Sequence, residues 1–118
     1  MFNTTLDFCL TTRELYPDLA RRADVEYVKY WGESPMGEES SYSWFGSVAN
    51  ALNKDMCQGL FLHEAAAFFD YVTSVLLQCS DEVANCIDVS FVENLFWQAL
   101  ATRAISYWNV LPPPLQEL

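Results

Sequence analysis

Apolar residues recur along this chain at three- and four-residue spacing, the period of one helix face. No stretch alternates as a half-buried strand requires. Leu62, Ala65/Ala66, Phe69, Val72 and Leu76 form the clearest stripe and predict an amphipathic helix. Leu19, Ala23, Glu26/Tyr27 and Tyr30 form another, with Pro17 suited to its first turn and Gly32 to its end. The stretch Thr4 to Tyr16 is also helical in pattern, but its start is ambiguous. Threonines at its head can cap, and Thr11-Thr12-Arg13-Glu14 reads as a capping box.

Glu33 to Ser43, with Pro35, Gly37 and three serines, reads as a loop. A helix is expected from about Trp44 to Asn53, carrying Phe45, Val48/Ala49 and Leu52 on one face. Asn53-Lys54-Asp55 closes it, and Gly59 marks another break. Ser80-Asp81-Glu82 is a helix start: a capping hydroxyl followed by two acids at the positive end of the dipole. Val83, Ile87, Phe91, Leu95 and Phe96 continue the stripe to about Trp108, with a break expected near Asp88 to Ser90. Pro112-Pro113-Pro114 is expected to end helix formation. The pattern predicts an all-α, compact single-domain helical bundle of about five to seven helices over residues 1–118. HEAT-like helix pairs are one compatible arrangement.

Composition narrows the function. Hydrophobic residues make up 52% of the 118 positions and aromatics 15%, too many for a disordered chain. The net charge is −10, and residues 55–102 hold seven acids with no Lys or Arg. Phosphate backbones and anionic membranes repel such a chain, whereas a basic partner is attracted to it. No signal-peptide pattern opens the sequence and no apolar run approaches a membrane span, so a cytoplasmic protein is expected. Cys9, Cys57, Cys79 and Cys86 form no C-x-x-C pair. They are read as reduced thiols of the core.

Candidate chemistry is sparse. His63 is the single histidine; its neighbour Glu64 points elsewhere on a helix, so a partly buried structural role is expected. The four glycines build no phosphate loop, and neither EF-hand spacing nor a zinc ligand set is present. No enzyme activity, cofactor or metal is expected. The aromatics offer more. Tyr27, Tyr30 and Trp31 end one predicted helix, and Tyr42, Trp44 and Phe45 begin the next. Trp97 and Trp108 share a helical face with Glu93. A core uses many such rings, but Trp and Tyr beside acids also suit the centre of an interface.

Trp44-Phe45-Gly46-Ser47-Val48-Ala49-Asn50-Ala51-Leu52 is followed by Phe68-Phe69-Asp70-Tyr71-Val72 and by Ser80-Asp81-Glu82-Val83. Val89-Ser90-Phe91-Val92-Glu93-Asn94-Leu95 and the Leu111-Pro112-Pro113-Pro114 tail complete the series. Across residues 44–118 this resembles a family of small, acidic, all-helical bacterial immunity proteins found beside polymorphic and contact-dependent growth inhibition toxins. The resemblance implies a protein inhibitor whose partner is a cognate toxin domain, for instance a basic nuclease. The expected contacts are the loop and helix-start acids Glu38, Glu39, Asp81 and Glu82, with Glu93, Tyr42 and Trp44 nearby. An acidic adaptor or nucleic-acid-mimicking inhibitor without a toxin partner is the alternative. A small enzyme is a third reading.

Overall fold

The first helix is opened by Thr4, whose Oγ1 accepts a hydrogen bond from the Asp7 N–H (3.1 Å). Thr11 to Glu14 therefore lies inside that helix, and the capping-box reading is wrong. The computed structural model describes Phe2 and residues 4–32, 37–96 and 101–118; the side chains of Glu38 and of residues 101–103 lie outside the description, as does Trp97. Seven α-helices and no strand occur among these residues: α1 (Thr5–Leu15), α2 (Pro17–Trp31), α3 (Glu38–Gln58), α4 (Leu62–Leu76), α5 (Asp81–Asn85), α6 (Ala101–Asn109) and α7 (Pro113–Gln116).

α2 begins on Pro17 and stops at Gly32, whose φ of +75° is the left-handed backbone that glycine adopts without strain. α3 departs from expectation at both ends. It starts at Glu38, because Ser40 Oγ accepts from the Gly37 N–H (2.6 Å) and the serines serve a helix start instead of a loop. It runs past Asn53 and Asp55 to Gly59, which caps it with φ +68°. Asn and Asp weaken helices when their side chains compete for nearby backbone groups. Here both are occupied by distant partners: Asn53 by residues 94–96, Asp55 by Arg22.

The break expected near Asp88 is absent. α5 continues as a π-helix over Cys86–Phe91 and a 3₁₀ turn over Val92–Asn94. The reason lies in the spacing of the inward residues. Val83, Ile87, Phe91 and Leu95 are each four apart, and all are buried. In an α-helix four residues overshoot a full turn by about 40°, so three steps would carry Leu95 roughly 120° off the face. A wider π turn absorbs that drift and keeps the stripe on the core. The chain bends at Leu95 and Phe96 instead. Prolines 112–114 also behave differently from expectation: Pro112 is extended and Pro113 starts α7, the position where a missing N–H costs nothing.

α3 is the spine, touching α1, α2, α6 and the π segment. Trp44, Phe45, Val48, Ala49, Ala51, Leu52 and Met56 are buried around most of its circumference, as a central helix requires. Phe8 of α1 stacks on Phe45 at 4.3 Å between ring centroids, and Phe68 of α4 meets Phe91 edge-on at 5.6 Å. Cys9 and Cys86 join this core, and burial pushes their thiols up to about 12. All four cysteines are free, but Cys57 is exposed and Cys79 only half-buried, so the core reading holds for two of them. His63 is exposed, contrary to expectation.

Candidate partner-binding surface

The exposed side of α3 presents Glu39, Ser43, Gly46 and Asn50 in one row, at the spacing of a helix face. Two adjoining depressions lie along this row and share Tyr42 and Ser43. The first, of about 400 Å³, is lined by Thr5, Glu39, Tyr42, Ser43 and Glu82. The second, of about 370 Å³, runs between the end of α2 and the π segment, with Tyr30, Trp31 and Tyr42 on its walls. No Lys or Arg lines either among the described residues; Lys54 enters only farther along, past Asn50 and beside Glu26.

The walls are held by specific bonds. Ser90 Oγ donates to the Tyr42 carbonyl (2.5 Å), which ties the π segment to α3. Asn94 Nδ2 donates to the Ser90 carbonyl (2.8 Å), and this turn packs beside Gly46 of α3. Asn85 Nδ2 donates to the Tyr42 hydroxyl (3.2 Å) and orients that ring. Trp31 stacks on the buried Tyr27 at 6.5 Å, yet its side is 62% exposed, and Tyr30 is 70% exposed. The Tyr42 phenol is pushed above its ordinary pKa by burial and by the nearby Cys86, Glu93 and Asp88, with Asn85 opposing.

The structure sorts the expected contacts. Glu39, Tyr42 and Glu82 are brought together in the first depression. Asp81 and Glu93 are exposed near it in sequence, without lining it. The Glu38 side chain is outside the described residues. Glu82 has a structural task as well, since its Oε2 accepts from the Thr5 N–H (2.6 Å) at the head of α1. Trp44 is not a contact. It is 1% exposed, its Nε1 donates to Asp24 Oδ1 (2.9 Å), and the Arg13 guanidinium lies over its ring at 5.3 Å. α3 starts at Glu38, not near Trp44, so this ring lies within the helix and packs inward against α1 and α2. The shared face of Glu93 and Trp108 is not formed, because the chain bends between them at Phe96. Trp108 instead packs edge-on against Phe96. Val89 and Asn50 went unrecognised in the sequence, since neither residue type signals a surface.

Arg22 organises the opposite end of α3. It hydrogen-bonds Asp55 (3.2 Å) and Glu64, and its guanidinium lies over Phe61 at 4.3 Å. Burial raises the Asp55 carboxyl above its ordinary pKa, and Arg22 offsets only part of that. Among the described residues no group of three or more His, Cys, Asp or Glu is placed to hold a metal ion. No described helix is long and apolar enough to cross a membrane.

A family model described as a domain of unknown function, DUF7674, matches residues 10–118. The chain belongs to this family. The matched span takes in α2 through α7, and with them both walls of the aromatic depression. Neither curated proteins nor solved structures give a match.

Proposed function

We propose that this protein is an immunity protein, a cytoplasmic inhibitor that binds a cognate bacterial toxin domain and covers its active site or substrate path. The observation that carries the reading is the joining of Glu39, Tyr42 and Glu82 in one depression, beside exposed Tyr30 and Trp31 and with no Lys or Arg in the lining among the described residues. A nuclease holds phosphates with Lys and Arg. Carboxylates on an inhibitor can take the place of those phosphates, and exposed Tyr and Trp supply the apolar centre that affinity requires. The sequence resemblance over residues 44–118 supports the same assignment.

The test is co-expression with the product of the adjacent reading frame, with growth as the readout. The parent chain is expected to protect. Charge reversal of Glu39 together with Asp81 is expected to weaken protection and to slow association most at low salt. These two are chosen over Glu82, whose loss would also unseat α1. Full protection by a folded Glu39→Lys/Asp81→Lys variant would remove the acidic surface from the interface. Absence of binding to the neighbouring product by the parent would defeat the immunity reading itself.

A further inference from the structure

The depression walled by Tyr30, Trp31 and Tyr42 has the parts of a cation site, and no Lys or Arg lines it among the described residues. The rest of the molecule shows how this chain houses arginine. Arg13 lies over the Trp44 ring while pairing with both oxygens of Asp24 (2.7 and 2.8 Å). Arg22 lies over the Phe61 ring while pairing with Asp55 and Glu64. Each guanidinium is held between an aromatic face and carboxylate oxygens, the arrangement that its planar, delocalised charge favours. Along α3 the same two kinds of group lie in adjoining depressions that share Tyr42 and Ser43. Trp31 and Tyr30 offer exposed aromatic faces, and Glu39 and Glu82 line the adjoining depression. Asp88 and Glu93 flank Val89 and Asn94 of the opposite wall. The rings are already positioned, Trp31 by its stack on Tyr27 and Tyr42 by its bond from Asn85.

We infer that this recess takes an arginine side chain from a basic segment of a partner protein, stacked on Trp31 and Tyr30 and directed toward the carboxylates along α3. The inference rests on the proposed inhibitor role only for who the partner is; the chemistry of the recess stands apart from it. Arginine is preferred over lysine because a compact ammonium cannot stack.

The full chain titrated with a nine-residue arginine peptide, and separately with a lysine peptide of equal length, tests this by NMR. The arginine peptide is expected to shift the ring signals of Tyr30, Trp31 and Tyr42 and to bind more tightly than the lysine peptide. Trp31→Ala is expected to weaken arginine binding roughly fivefold or more, and Trp31→Phe to restore much of it. Asp70→Asn, which removes one exposed charge on α4, is expected to change it little. Both Trp31 variants are first checked for native circular dichroism. Equal binding of the two peptides, unchanged by Trp31→Ala, would mean diffuse charge attraction and overturn the inference. If Trp31→Ala abolishes peptide binding but leaves binding of the adjacent gene's product intact, the recess takes arginine but that partner does not sit there, and the proposed seating of that partner in the recess is overturned while the immunity reading stands. If the parent ignores that product yet seats the arginine peptide at Trp31, the immunity reading fails and the arginine recess stands.

Discussion

Asp24 shows how much one side chain of this protein must satisfy. Its carboxylate accepts from Arg13 twice and from the indole N–H of the buried Trp44. Burial acts to raise its pKa, but the bonds from Arg13 and Trp44 outweigh it, and the folded carboxyl titrates below 3.8. A depressed folded pKa gives stability that is fully present above the unfolded value and is lost as pH falls through the folded one. Asp24→Asn should therefore be less stable than the parent near neutrality, and the gap should close as pH falls below 3.8. Urea midpoints on both sides of that value measure it. A gap that stays constant would remove Asp24 from the acid limb.

At the scale of elements, the contact between α3 and the π segment decides the shape of the candidate surface. Gly46 sits in the middle of α3, where glycine costs about 1 kcal/mol relative to alanine. A Cβ there would meet Asn94 Nδ2 at 3.4 Å and the Ser90 carbonyl at 3.5 Å, which is ordinary contact. Gly46→Ala is therefore expected to fold and to gain up to about 1 kcal/mol. Gly46→Val is expected to lose about 1–3 kcal/mol by overpacking against the same turn. Chemical denaturation of the two variants tests the closeness of this packing. A valine variant as stable as the alanine one would mean that the turn yields freely. The buried Asn53 reinforces the other end of the segment, donating to the Asn94 carbonyl (2.9 Å) and accepting from the Phe96 N–H (2.7 Å).

Across the whole molecule, charge is segregated by the way cations are used. Arg13, Arg21, Arg22, Lys29 and Lys54 each pair with a carboxylate. Asp70, Asp81, Asp88 and Glu93 are exposed and have no ion-pair partner among the described residues. The −10 charge is thus concentrated where no internal partner neutralises it. Arg22 is the most consequential of the cations, because it joins α2 to α3 and α4 through Asp55 and Glu64. Arg22→Met should cost about 3–5 kcal/mol, since it strands a buried Asp55 without its cation. Asp55 already titrates above its ordinary value, chiefly through burial. A raised folded pKa means stability that is greatest in acid and lost as pH rises through that value. The deficit of Arg22→Met should accordingly shrink in acid, as Asp55 protonates. A pH-independent deficit would point to the lost contact of the Arg22 guanidinium with the Phe61 ring as the main cause.

Local signals determined the helical class and several helix ends: Pro17 and Ser80 start helices, Gly32 stops one, and the α4 stripe faces the core as its spacing requires. These are legible because backbone geometry and one-face burial act within a few residues. The acids Glu39 and Glu82 and the ring of Tyr42 were legible as surface candidates for the same reason. Tertiary structure decided the rest. The length of α3 depended on distant partners for Asn53 and Asp55, which a local pattern does not contain. The fate of Trp44 depended on Asp24 and Arg13, which sit on other helices. The π turn was encoded in the strict four-residue spacing of Val83, Ile87, Phe91 and Leu95, but that spacing acquires meaning only when one continuous core demands all four residues. The meeting of Glu39 with Glu82 was decided in the same way. They are 43 positions apart, and only the packing of the π segment on α3 brings them together.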